Sequence, residues 1–410
     1  MSILNKLKRK LGEMALNNLP RNTSLKPTGY FDAFSGYFAK FPESKVKVFA
    51  IYPSLTTKLV VDKAFYDAFS SFTKYDPAVE SGDNVTLSCT TDYKLAVIPY
   101  GRIIANNVSM VAVITEENQL LSEVSLQYDV DREAKGKDSL VFRRKYFSTP
   151  LFINGTVFNM LGGGGTINNI GHWMLDALAR LNFLKEAGLF DEVDYFLVPN
   201  FAHEFQKESL QLFGIAPERI VVADGETHFQ AERLISTSHP RGARSYLVPH
   251  WLISFYQNTI GEKAKALNTN YPSKIYVSRR DSKLRGIENE DQLISFLESE
   301  GYTTLEMSKY SLLEKVAIFQ QAESIIGMSG AGLIGLLFAN RGMQFLELFP
   351  RGFVHSLYYN IANFLDMDYQ YLICDSASKS EDIKKAQLED IRVDISDIKK
   401  ITDGWKVPKY

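Results

Sequence analysis

Apolar positions change rhythm along this chain, and the change divides it. From Val46 to about Asp131 they fall in short β-branched or aromatic runs: VKVFAIY, KLAVIPY, RIIANN, SMVAVIT and SEVSLQY. Turn residues separate these runs, which predicts a succession of strands. Before them, residues 17–45 are rich in Asn, Pro, Thr, Ser and Gly and read as a linker or an irregular wrap. At the very start, Ile3, Leu4, Leu7, Leu11 and Met14 recur at helical spacing, with Lys6, Lys8, Arg9 and Lys10 on other faces. Such a basic amphipathic helix either docks on its own domain or rests on an anionic membrane surface.

After a charged interval from Asp131 to Arg144, strands alternate with helix-length segments. LFINGTVFNML leads to four consecutive glycines (162–165) and a helix from about Asn169 to Ala187; YFLVP, a helix at 203–213, RIVVA and FQAERLIST follow. The second half repeats the theme. KIYVS (274–278) is a strand, Asn289 with Gln292 a capping box, and Leu293, Ile294 and Leu297 the buried stripe of a helix ended by Gly301. YTTLEM is the next strand, and Ser311 with Glu314 caps the helix through Ala322. SIIGM, a turn and helix in GAGLIGLLFA, QFLELF, a helix around Phe353–Phe364 and YQYLI complete the series. Alternation of this kind predicts doubly wound parallel sheets. The expected organisation is residues 1–45 as helix and linker, a domain at 46–245, β-rich and then Rossmann-like, a second Rossmann-like domain at 246–375, and a tail at 376–410 packing back. Ligands of such sheets bind beyond the carboxyl ends of the strands, so a cleft between the halves is expected.

Composition narrows the function. Of 410 residues, 46 are Lys or Arg and 48 Asp or Glu, a net charge of −2. That balance argues against nonspecific nucleic-acid binding, which needs a basic excess. Two cysteines, Cys89 and Cys374, make neither a disulfide framework nor a zinc site. No spacing suggests a metal, so no cofactor or metal is expected. The N-terminus lacks the apolar core of a signal peptide, and no apolar run approaches a membrane span. A cytoplasmic protein is expected, peripheral at the inner face of the membrane only if residues 3–16 rest on lipid and do not dock on their own domain.

Four groups carry candidate chemistry. In SRRDSKLRG (278–286), Arg279, Arg280, Lys283 and Arg285 follow the end of a strand, with Asp281 among them to orient a guanidinium. Several such forks offset the charge of a diphosphate; the alternative is a solvated loop. In GMSGAGLIG (327–335), Ser329, Gly330, Ala331 and Gly332 let the backbone approach a phosphate, or merely pack tightly. Glu347, at the end of QFLELFP, either accepts hydrogen bonds from ribose hydroxyls or serves solubility. In TINNIGHWMLDALARL (166–181), His172 and Asp176 share a helix face beside Trp173, and Asn168 or Asn169 caps the helix. That pair suits a general base, although sequence alone favours a capping or core histidine. Asn169, Trp173, His239 and Arg241 are candidates for the acceptor side or the cleft; His203, His228, His250 and His355 read as structural.

Taken together, GHWMLD (171–176), YVSRRDSKLRGIENE (276–290), SLLEKVAIFQQAESIIG (311–327), GAGL (330–333) and FLELFP (345–350) resemble glycosyltransferase family 61. That group holds bacterial capsular-polysaccharide transferases, plant arabinosyl- and xylosyltransferases and animal O-linked N-acetylglucosaminyltransferases. The resemblance implies a GT-B arrangement of two Rossmann-like domains and inversion at the anomeric carbon without a metal. It further implies a nucleotide-sugar donor held by the C-terminal domain, and a carbohydrate or lipid-linked glycan as acceptor. By resemblance, Arg279 and Arg285 touch the donor phosphates, Glu347 the ribose, and His172 or Asp176 the reacting centre. This chain departs from the family in having Ser329 where a histidine usually precedes Gly-Ala-Gly. Two rivals stay open: an inactive nucleotide- or glycan-binding protein on the same scaffold, and a polysaccharide pyruvyltransferase.

Overall fold

The computed structural model describes residues 21–69, 78–106, 109–127, 136–242, 247–282, 284–376 and 383–405. The helix expected over residues 3–16 and the side chain of Lys283 lie outside them. The protein is of mixed α/β class and forms two compact units, Met1–Leu55 with Thr90–Ala243, and Thr56–Cys89 with Arg244–Tyr410. Among the described residues no helix is long and apolar enough to cross a membrane.

The first unit is built on parallel strands β1 (Leu151–Asn159), β2 (Tyr195–Val198), β3 (Ile220–Val222) and β4 (Thr227–Thr237). They lie in the order β4-β1-β2-β3. Between β1 and β2 the chain makes the helical segment 170–186, and between β2 and β3 helix α1 (Glu204–Leu212). From β3 the chain crosses back to place β4 on the other side of β1. Winding therefore reverses between β1 and β4, so their carboxyl ends flank the unit's switch point. Antiparallel strands extend the sheet past β4: Arg102–Ala105 and residues 95–99 pair with it, and Met110–Ile114 pairs with Arg102–Ala105. Alternate residues of these strands (Ile98, Ile103, Val111, Val113) bury one face against Phe34, Tyr37 and Leu161.

Two expectations change here. Residues 17–45 are not linker throughout: Gly29–Phe31 is a strand parallel to Gln119–Leu121, and Phe34–Lys40 is a helix burying Phe34 and Tyr37. The apolar spacing of Phe34, Tyr37, Phe38 and Phe41 is outweighed by the polar residues around it when composition alone is read. Second, residues 56–89, which strand pattern groups with the first domain, belong to the second unit. Leu59, Val61, Phe65, Val85 and Leu87 bury themselves against Phe349 and Val354. Asp62 caps the short helix Lys63–Ala68 and accepts the Tyr371 hydroxyl at 2.9 Å.

The second unit carries β5 (Lys274–Val277), β6 (Thr303–Leu305), β7 (Ser324–Met328), β8 (Gln344–Pro350), β9 (Asp368–Ser376) and β10 (Ile391–Arg392), ordered β6-β5-β7-β8-β9-β10. All are parallel except β10. Strand β5 leads through α2 (Glu290–Ser299) to β6 on one side, and α3 (Leu312–Gln321) then carries the chain across to β7 on the other. The second switch point thus lies between β5 and β7. The Ser311–Glu314 capping box is present. Asn289 does not cap α2: its side chain is taken by Val393, whose N–H and C=O it bonds at 3.0 and 2.8 Å. After β7, Ala331–Phe338 winds as a 3₁₀ helix. Glycines at 332 and 335 weaken α-helical preference, and Gly335 lies flat on the Phe319 ring of α3. Helix α4 (Leu357–Phe364) leads to β9, and α5 (Ile395–Trp405) packs Ile398 against Leu293 and Leu297 of α2.

Candidate functional site

Each unit places a charged group at its own switch point. In the first, the turn after β1 (residues 160–165) and the turn after β4 (238–242) meet the start of helical segment 170–186. Asn169 accepts from the N–H groups of Gly171 and His172 and so caps that segment. Gly165 lies against His172, where an added Cβ would stand 2.6 Å from its Cγ. Residues 173–178 wind as a π-helix, a departure that recurs at functional sites. All six of these residues are buried, Asp176 among them.

Asp176 is fully buried and is the hub of this group. Arg241 donates to it through Nε and Nη2, both at 2.8 Å, and His172 Nδ1 lies 2.7 Å from Oδ2. His239 Nε2 stands 3.6 Å from Oδ1, while its Nδ1 accepts from Arg241 N. Burial pushes the Asp176 carboxyl up, but Arg241, His172 and His239 together hold it well below the usual carboxylate range. It is therefore ionised, and His172 Nδ1 is the donor in their bond, which leaves Nε2 as the ring's proton acceptor. Burial pushes His239 down to about 3, aided by Arg241 and Arg180, so it is neutral. Arg180 braces the group by donating to Asp176 O at 2.8 Å and to Thr237 at the end of β4. His172 itself is half exposed (46%), against 14% for His239 and 6% for Arg241. Trp173 is not a surface residue: it is fully buried, with Nε1 donating to Ser209 of α1.

In the second unit Arg279 and Arg285 follow β5, and Ser329 and Gly330 follow β7. Arg279 reaches back over its own loop, donating through Nε to Arg285 O (2.8 Å) and through Nη2 to Leu284 O (2.7 Å) and Ser282 Oγ (2.9 Å). A Cβ at position 330 would overlap Arg279 Nη1, so that approach requires glycine. Arg285 takes a left-handed backbone, φ 59°, and lays its guanidinium over the Phe353 ring, 5.1 Å from the centroid. Its Nε and Nη1 are buried and have no acceptor among the described residues. Burial, reinforced by the charge of Arg279, lowers Arg285 to about 10. Two desolvated, mutually repelling guanidiniums at a switch point make a site for an anion. Tyr358, after β8, donates its hydroxyl to Gly330 O at 2.6 Å and holds the glycine turn.

Other expected members fall elsewhere. Arg280 leans on the start of α2, paired with Asp291 and, at 3.8 Å, Glu290. Asp281 orients no guanidinium through a hydrogen bond; it accepts from Ser308 N at 2.9 Å. Ala331 and Gly332 begin the 3₁₀ helix behind Gly330. Glu347 is fully buried in mid-β8 and presents no surface to a ribose. Its Oε2 accepts the Tyr369 hydroxyl at 2.9 Å. Burial pushes its carboxyl up to about 8, against a partial pull from the Ser329 and Tyr369 hydroxyls. Ser329, also buried, shares a 2.9 Å hydrogen bond with His355 Nε2. His355, which reads as structural in the sequence, is thus part of the site's supporting layer, as are Phe353 and Tyr358. Their one sequence signal is position, just past the carboxyl end of a strand.

Among the described residues no three His, Cys, Asp or Glu side chains gather as a ligand set for a metal. Compared with known proteins, residues 170–346 match the family model Glycosyltransferase 61. The matched segment begins just before His172, contains Arg241, Arg279, Arg285 and Ser329, and stops one residue before Glu347. No curated protein matches the chain.

Proposed function

Since residues 170–346 of this chain belong to glycosyltransferase family 61, we propose that it transfers a hexosyl or pentosyl group from a nucleotide sugar to a carbohydrate or lipid-linked glycan hydroxyl, with inversion and without a metal. The observation that carries this reading is Arg285, whose two buried N–H groups have no acceptor among the described residues beside Arg279 and the glycine turn. A diphosphate satisfies them. The acceptor oxygen bonds to the anomeric carbon from the face opposite the diphosphate. As the bond from that carbon to the β-phosphate oxygen breaks, the electron pair leaves with the diphosphate, where Arg285 stabilises the developing charge. The acceptor's proton passes to His172 Nε2, and ionised Asp176 stabilises the imidazolium through Nδ1.

The two arginines do different work. Arg279 spends Nε and Nη2 on its own loop, so it builds the site, while Arg285 binds the ligand. The family match favours this function over pyruvyl transfer. A role in capsule, lipopolysaccharide or other surface-glycan assembly, in the cytoplasm and with residues 3–16 at a membrane, belongs to the same proposal. The test is release of nucleoside diphosphate from a panel of nucleotide sugars with candidate glycan acceptors, in EDTA and in Mg²⁺. Equal, acceptor-dependent release in both, lost in His172→Ala, supports the reading. Release that requires Mg²⁺, or survives in His172→Ala, overturns the mechanism.

A further inference from the structure

The loop that carries Arg285 is gripped by a distant part of the chain. Arg285 O accepts from Arg279 Nε at 2.8 Å, and the next N–H, that of Gly286, donates to Asp390 Oδ1 at 2.6 Å. These two atoms belong to a single peptide group, so that plane is held at both ends. Around it, Ile391 N donates to Gly286 O (3.0 Å) and Glu288 N to Ile391 O (2.9 Å). The paired bonds of Asn289 and Val393 continue the contact. Beneath this strap, Ile391 and Val393 are buried with Ile287, Tyr276 and Leu293. Asp390 itself is exposed, so its bond to Gly286 is not an incidental product of burial.

The held peptide fixes ψ of Arg285, whose φ of 59° is a conformation that a non-glycine residue keeps only where its surroundings impose it. Resting on the reading of Arg285 as the donor-phosphate ligand, we propose that Asp390 is a positioning residue for anion binding. It holds the Arg285–Gly286 peptide so that the guanidinium lies over Phe353 with its buried Nε and Nη1 left without a protein acceptor among the described residues. The strap lies outside residues 170–346, so the site is completed by a segment the family match does not cover. Without Asp390 the peptide relaxes, and only a fraction of molecules presents Arg285 correctly. Apparent affinity falls by that fraction, about tenfold for a residue returning to its preferred backbone region.

The experiment is calorimetric titration of the full chain with inorganic pyrophosphate. Asp390→Ala is expected to raise Kd about tenfold. Asp390→Asn, which keeps Oδ1 as an acceptor, is expected to raise it less than threefold. Arg392→Ala, a neighbour whose nearest contact to Glu288 is 4.0 Å, leaves it unchanged. The decisive arm is the pair Arg285→Ala and Arg285→Ala/Asp390→Ala. If Asp390 acts through Arg285, the double variant binds no more weakly than the single one. A Kd unchanged in Asp390→Ala, or a full further tenfold loss in the double variant, overturns the positioning role. Parent-like binding by Arg285→Ala overturns instead the reading of the site on which the role rests. Parent-like binding by Asp390→Asn with loss in Asp390→Ala also separates this role from a general structural one.

Discussion

Replacing Arg241 by Met tests the hub of the first unit. Arg241 is 6% exposed and Asp176 fully buried, and they meet through two bonds of 2.8 Å. At that separation the attraction is about 6 kcal/mol gross at an effective dielectric of 20. Much of it offsets the desolvation of both ions, so the net value of the pair is smaller. Breaking it from one side is different, because Asp176 stays buried without its main counter-charge. The expected loss is about 3–5 kcal/mol, or roughly 6–20 °C in the midpoint of a unit of this size. Scanning calorimetry measures it. Because the loss comes from the stranded carboxylate, Asp176→Asn/Arg241→Met should recover at least about 2 kcal/mol relative to Arg241→Met alone. A loss below about 1 kcal/mol in the single variant, or further loss in the double one, would refute the argument.

Three further outcomes follow from the geometry. His172→Ala should lower turnover about 10²–10⁴-fold, as for a lost general base, while calorimetry shows nucleotide binding unchanged. Arg285→Ala should cost about 2–4 kcal/mol in kcat/KM and be partly restored by added guanidinium; Arg279→Ala, which also loosens the loop, should not be restored. Stability should decline as pH rises from about 6.5 through 8, because the Glu347 pKa is raised on folding to about 8 and the folded state holds the extra proton. Glu347→Gln should flatten that decline, and urea titrations at pH 6, 7 and 8 check it. At lower pH the sign reverses: His239 and His228, held down to about 3 and 4, stay neutral in the folded state, so stability is lost as pH falls below about 6.5.

Much of this was legible in the residues, for reasons that differ by element. The parallel strands and the Ser311–Glu314 cap are local signals, set by apolar runs and a three-residue spacing. His172 and Asp176 share a face by helical periodicity, though the π-turn that contains Asp176 has no sequence mark. Arg279 and Arg285 were recognisable as a pair, but not their division of labour, since that depends on which carbonyls Arg279 reaches. Glu347 misled because the strand runs on to Pro350, which leaves the carboxylate in the buried middle of β8 and not at its end. Trp173 misled likewise, since position beside a functional pair does not tell which side of the helix it occupies. The Asp390 grip and the Asn289–Val393 exchange join positions about a hundred residues apart, where no spacing rule operates.

The central claim is that Arg285 and the glycine turn bind the diphosphate of a nucleotide sugar. It is tested most directly by thermal unfolding of parent and Arg285→Ala proteins with UDP, GDP, CMP and dTDP, each in EDTA. A nucleoside diphosphate at a hundred times its Kd should stabilise the parent by about 2.7 kcal/mol, and at the same concentration should stabilise Arg285→Ala far less. No stabilisation of the parent by any of the four, or equal stabilisation of both proteins, would contradict it.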